Sequence, residues 1–143
     1  MKKIIPILFV FFLIYGYANK EEILIPTDAI RFRVIANSND EIDQEVKMKV
    51  KEAIEQEVNK LMLEAKNSEE AKKLINENME HIQQIVNQYT TDNKISFGVN
   101  YFPEKEYHGV TYPSGEYESL VITLGNGVGN NWWCVMFPPL FVG

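Results

Sequence analysis

The stretch Gly125–Pro139, GNGVGNNWWCVMFPP, restricts the fold more than any other part of the chain. Its opening glycines and asparagines permit positive φ and close backbone approach, so it begins as a loop. The run Trp132–Phe137 has strand composition, and Pro138-Pro139 stops it. Both tryptophans of the protein stand side by side in that run. Adjacent strand side chains point to opposite faces, so if one indole is in the core the other is outside. A large aromatic on an outer face is what an interaction site looks like. If both faces of the sheet are covered, both rings are buried instead.

The rest of the chain supplies a sheet and a helical layer. In Ala29–Ile35 (AIRFRVI), Ile30, Phe32 and Val34 alternate with Arg31 and Arg33, which predicts a strand with a partly basic outer face. The two arginines serve as a solvated face or as a clamp for an acidic group on a partner. Ser38 and Glu41 have capping-box spacing ahead of a helix running to about Ala65. Its largely apolar stripe passes through Ile42, Val46, Val50, Ile54, Val58 and Leu61. Asn67 or Ser68 caps a second helix that ends at Thr90–Asn93. The very short turn between the helices makes them antiparallel neighbours. Lys94–Phe102 and Glu116–Leu124 alternate as strands, with a polar connection, Pro103–Tyr112, between them. The last two strands are expected to form a hairpin with a longer loop. The fold class that follows is α+β: two antiparallel helices packed on one face of a mostly antiparallel four-stranded sheet.

The N-terminus bears on the compartment. Lys2-Lys3, the apolar run Ile4–Tyr15, and small residues at Gly16 and Ala18 fit a secretory signal peptide (1–18) cleaved after Ala18, or an uncleaved N-terminal anchor. Residues 19–26 read as a linker and 27–143 as one domain. Removing Lys2 and Lys3 leaves 12 Lys and Arg against 20 Asp and Glu, a net charge of −8. With no basic patch to neutralise phosphates, nucleic acid is not an expected partner.

Catalytic patterns are weak. The glycine loop lacks the Lys-Ser/Thr of a P-loop, and a strand rather than a helix follows it. His81 with Glu77 is too small a set for a metal, so neither a metal nor a cofactor is expected. Glu116 and Glu118 share a strand face, which is most simply a solvated one. Cys134, the only cysteine, reads as a small buried hydrophobe or a reactive thiol. An exported cysteine-dependent hydrolase using His108 or His81 is the alternative to a binding module.

Two blocks carry a resemblance. Ile25–Asp40 (IPTDAIRFRVIANSND) and Val110–Leu140 (VTYPSGEYESLVITLGNGVGNNWWCVMFPPL) resemble the start and the C-terminal signature of the stage II sporulation protein R family. The resemblance implies a signal made in the forespore and exported into the space between forespore and mother-cell membranes. There it would activate a membrane-embedded aspartic protease of the mother cell that processes pro-sigma-E, without being a protease itself. The family supplies no catalytic set. Matching its motif positions gives Arg31, Arg33, Asn37, Tyr112, Glu116, Asn131, Trp132, Trp133 and Cys134 as candidates; of these, Trp132, Trp133, Asn131, Arg31, Arg33, Glu116 and Tyr112 are the expected partner-binding residues and Cys134 a possible reactive thiol. The family often carries a second cysteine after Pro-Pro-Leu; Phe141 stands there, so no local disulfide is expected. Members also usually continue beyond Gly143, so the chain reads either as a short member or as one without a tail that modulates signalling.

Overall fold

The computed structural model describes residues 29–107 and 109–138. The signal peptide and linker expected from the sequence, His108 and Phe141 lie outside those residues. The chain divides into two compact units, a main one holding Thr27–Tyr101 and Glu116–Gly143 and a small one that includes Phe102–Gly115.

The main unit begins with β1 (Ile30–Ile35), followed by helices α1 (Glu41–Glu64), α2 (Ser68–Glu77) and α3 (Met79–Asn87). Then come β2 (Asn93–Phe102), β5 (Gly115–Leu124) and β6 (Asn131–Phe137), with the Phe137–Pro138 peptide cis at the end. The small unit carries a two-stranded ladder, β3 (Lys105–Tyr107) against β4 (Val110–Tyr112), where the sequence suggested only a polar connection.

Four strands form one sheet in the order β2-β5-β1-β6. Its strand number is as expected, but its pairing is mixed. β1 runs parallel to β5, with Arg31 opposite Ser119 and Ile35 opposite Thr123. On its other side β1 runs antiparallel to β6, with Arg33 opposite Trp133 and Ile35 opposite Asn131. The expected β5–β6 hairpin is therefore absent, because β1 lies between the two strands. Crossing one intervening strand spans roughly 10 Å at about 4.8 Å per strand, well within reach of the six-residue Gly125–Asn130 connection.

The helix count also differs from two. The second expected helix breaks at Asn78, whose φ of −106° and ψ of 9° leave the helical region. The Asn78 side chain donates to the Leu74 carbonyl at 2.7 Å, competing with the backbone for the same acceptor. The start of α1 departs from the capping box too. Asp40 occupies the cap position without a side-chain bond, and Ser38 turns to Asp43 instead. Asn67 does cap α2, accepting from the Glu70 N–H at 2.9 Å.

Burial follows the strand alternation. Ile30, Phe32 and Val34 of β1, Leu120, Ile122 and Leu124 of β5, and Cys134 and Met136 of β6 pack with Val50, Ile54, Val58, Ile75, Ile82 and Val86 of the helices. All three helices thus cover the same sheet face. The intervening residues of each strand, including Arg31, Arg33, Tyr117 and Trp133, occupy the other face.

Candidate functional site

The strand period separates the two tryptophans. Trp132 faces the helices, packs against the core and lies beneath the Lys51 ammonium of α1, 4.3 Å from its ring centroid. Trp133 is half-buried on the opposite face. Its indole N–H donates to Asn131 Oδ1, and the Arg33 guanidinium lies 5.7 Å from its ring centroid. Asn131, Arg33 and Trp133 thus form one polar and aromatic surface on the face away from the helices. Burial pulls the Arg33 guanidinium below its ordinary value, but arginine starts so high that it stays charged at neutral pH.

The other candidates are placed elsewhere. Arg31 shares the face of Arg33 but is only 1% exposed, with its guanidinium 3.7 Å from the Tyr117 ring centroid. Glu116 is exposed on the helix side of β5, and the adjacent same-face Glu118 lies 3.9 Å from Lys72 of α2. Tyr112 is buried in the small unit. Sequence reading missed Tyr117 and Lys51 as ring and cation partners. The register Arg31 opposite Ser119 brings Tyr117 into reach, and that register depends on the parallel pairing of β1 with β5.

Cys134 sits on the helix side, buried, with its sulfur 3.9 Å from Glu55 Oε1. Burial, reinforced by the Glu55 charge, pushes its thiol up to about 12. At pH 7 only on the order of one molecule in 10⁵ then holds a thiolate, the form a nucleophile needs. A maleimide probe is expected to leave Cys134 unlabelled at pH 7.5 in the folded protein and to label it fully in denaturant, read by intact-mass spectrometry. Rapid native labelling would restore the reactive-thiol reading. His81, the other proposed partner, lies 3.2 Å from Glu57 of α1. No cluster of three or more His, Cys, Asp or Glu able to hold a metal occurs among the described residues.

The glycine-asparagine loop has a different character from the one its composition suggests. Asn37 Oδ1 accepts from the Asn126 N–H at 2.8 Å, and Asn37 Nδ2 donates to Asp43 Oδ2 at 2.8 Å. The Val128 and Gly129 N–H groups donate to the Asn37 and Ala36 carbonyls at 3.2 and 3.0 Å. The Asn130 N–H donates to Asn39 Oδ1 at 2.8 Å, and the buried Lys47 reaches the Asn130 carbonyl at 3.4 Å. The loop is therefore bolted to the Ala36–Asp40 turn, leaving Val128 74% exposed at its tip.

Hydrogen bonds from Ser38 and Asn37 hold the Asp43 carboxyl below the usual carboxylate range. A folded-state value below the unfolded one adds stability above the ordinary carboxylate range, and that stability is lost as pH falls through the folded value. Wild type is expected to melt above Asp43→Asn at pH 7, with the gap closing below about pH 4. A gap constant between pH 7 and pH 2 in thermal melts would contradict this network.

The class is now defined: a small α+β domain with three helices on one face of a mixed sheet, its single thiol inside and a guanidinium–indole surface on the opposite face. Within that class the chain belongs to the stage II sporulation protein R family, whose model matches residues 26–142. It is 36% identical over 129 residues to the stage II sporulation protein R of Bacillus subtilis (strain 168), an alignment covering 86% of this chain and 58% of that protein. The chain thus spans less than two thirds of that relative's length. No solved structure matches it.

Proposed function

We propose that this protein is an exported sporulation signal that activates a membrane-embedded aspartic protease of the mother cell, which then processes pro-sigma-E. Its place of action is the space between the forespore and mother-cell membranes. Family membership carries the reading. The placement of Trp133, Arg33 and Asn131 on the sheet face away from the described helices supports it, since aromatic and arginine side chains dominate protein-contact energetics. Arg31 and Trp132 then support this contact surface from within rather than touching the partner. The receptor groups that suit Arg33 are carboxylates or backbone carbonyls, which a guanidinium fork recognises.

The test is pro-sigma-E processing in sporulating cells lacking the gene. Processing is expected to stop on deletion and to return with the wild-type chain. Normal processing in the deletion strain would reject the proposal. The hydrolase alternative has no comparable support, because Cys134 is buried and held protonated.

A further inference from the structure

Three connections meet at one end of the main unit: the turn from β1 into α1, the turn from α3 into β2, and the glycine-asparagine loop. They are tied together, since the Gly125 N–H donates to the Asp92 carbonyl at 2.8 Å and the Asn126 N–H to Asn37 Oδ1. Between them lies a cavity of about 240 Å³. Part of its wall is apolar, from Val46 and Leu124, with the 42% exposed Tyr89 ring beside them. Asp43 and Asp92 bring two carboxylates, and no lysine or arginine among the described residues lines the cavity. Lys47, one turn along α1 from Asp43, is turned instead to Gln44 and the Asn130 carbonyl. Asn37 and Ser38 fix the Asp43 carboxyl through Oδ2 and keep it charged.

Such a lining suits a positive charge carried on an apolar stem. A bare divalent ion takes roughly six to eight oxygen ligands and gains nothing from Val46 and Leu124. The volume is below the roughly 300–1,000 Å³ of sites for whole small molecules, so it suits a single side chain. The surroundings are apolar. Ile42, next to Asp43 in sequence, and Val128, whose N–H donates to the Asn37 carbonyl, are 73% and 74% exposed. An anchor side chain in a pocket, ringed by apolar contacts, is how protein interfaces concentrate their energy. We propose that this end of the domain docks a protein partner by taking one of its arginine or lysine side chains into the cavity, the stem against Val46, Leu124 and Tyr89 and the cationic head at Asp43 and Asp92. Arginine suits it best, because its planar head stacks on a tyrosine ring and also pairs with carboxylates. Trp133 and Arg33 take no part in the lining, and the proposal does not rest on the signalling role.

The probe is N-acetyl-arginine amide, titrated into the full-length chain at low salt and read by two-dimensional NMR at the Asp92, Gly125 and Asn126 amides. Saturable shifts are expected there, with a Kd on the order of 1 mM, and none with the neutral citrulline analogue. Asp92→Asn should weaken binding about three-fold or more. The bond from Gly125 goes to the Asp92 carbonyl rather than its carboxylate, so this variant should melt with wild type. Glu80→Gln removes the same charge from an exposed position on α3 and should leave binding unchanged. The tripeptide N-acetyl-Leu-Arg-Leu-amide should bind about three-fold tighter than the single residue and lose that gain in the double variant Ile42→Ser, Val128→Ser. Equal effects of Asp92→Asn and Glu80→Gln would mean diffuse attraction to an acidic domain and would overturn the proposal. So would shifts that never saturate, or a cavity that responds to calcium chloride but not to the arginine probe. A tripeptide that gains nothing over the single residue would also overturn it, assigning the cavity to a free small cation.

Discussion

Gly129→Ala is expected to destabilise the domain by about 3 kcal/mol, the sum of overpacking and two weakened hydrogen bonds. A Cβ at this position would overlap the backbone carbonyl of Ser38 and press on the Ala36 side chain. The obstacle is main chain, so no rotamer change relieves it. Relief requires the loop to lift, which lengthens the bonds from Val128 to Asn37 and from Gly129 to Ala36. In a domain of this size the melting temperature should fall on the order of 10 °C or more. Thermal melting by circular dichroism measures this directly. Gly125→Ala should act in the same direction, since Gly125 has φ +55° and faces the Asn37 side chain. An unchanged melting temperature for Gly129→Ala would mean that the loop is not fastened to the turn in solution.

The two tryptophans are expected to separate stability from signalling. Trp132→Ala removes a ring packed on the core beneath Lys51 and should cost about 3 kcal/mol of stability, the lower end for a large aromatic because the ring is half-buried. Its effect on processing should track the loss of folded protein. Trp133→Ala removes a half-exposed ring on the outer face and should leave melting within about 1 kcal/mol of wild type. If Trp133 is a contact hot spot, the same change should weaken receptor engagement by about 2 kcal/mol, roughly 30-fold. The measurement is pro-sigma-E processing in deletion cells complemented with each variant, normalised to the amount of each protein. Full processing with a stable Trp133→Ala protein would move the receptor surface away from this face.

Local pattern was legible in the sequence; partnership between distant segments was not. Alternation marked β1, β2, β5 and β6 to within a residue or two, since one face of each strand is buried. The same alternation required the adjacent indoles to part. Which neighbour each strand takes is not written in its own period. β1 carries no local sign that β5 will lie parallel to it, and the loop from β5 to β6 reads equally as a hairpin or as a crossing over β1. The break at Asn78 was hidden because the apolar stripe continues through Ile75, Ile82 and Val86 across it. The role of Asn37 was hidden for a related reason. A turn asparagine satisfies local needs in most proteins, whereas this one reaches an amide eighty-nine residues away. Arg31 illustrates the limit on the site. It has the same spacing pattern as Arg33, but its neighbour Tyr117 and its burial come from tertiary register.

The fastening of the glycine loop has a consequence for exchange with solvent. All six backbone N–H groups from Gly125 to Asn130 donate hydrogen bonds, to Asp92, Asn37, Leu124, Asn37 again, Ala36 and Asn39 in turn. Four of those acceptors belong to the turn after β1, so freeing these protons requires that turn and the loop to part together. A surface segment with three glycines should therefore hold its deuterium label as a cooperative block, closer to the sheet than to an ordinary loop. The sheet end at which β1, β5 and β6 meet would then be among the last regions to open, although it is built from the residues that usually open first.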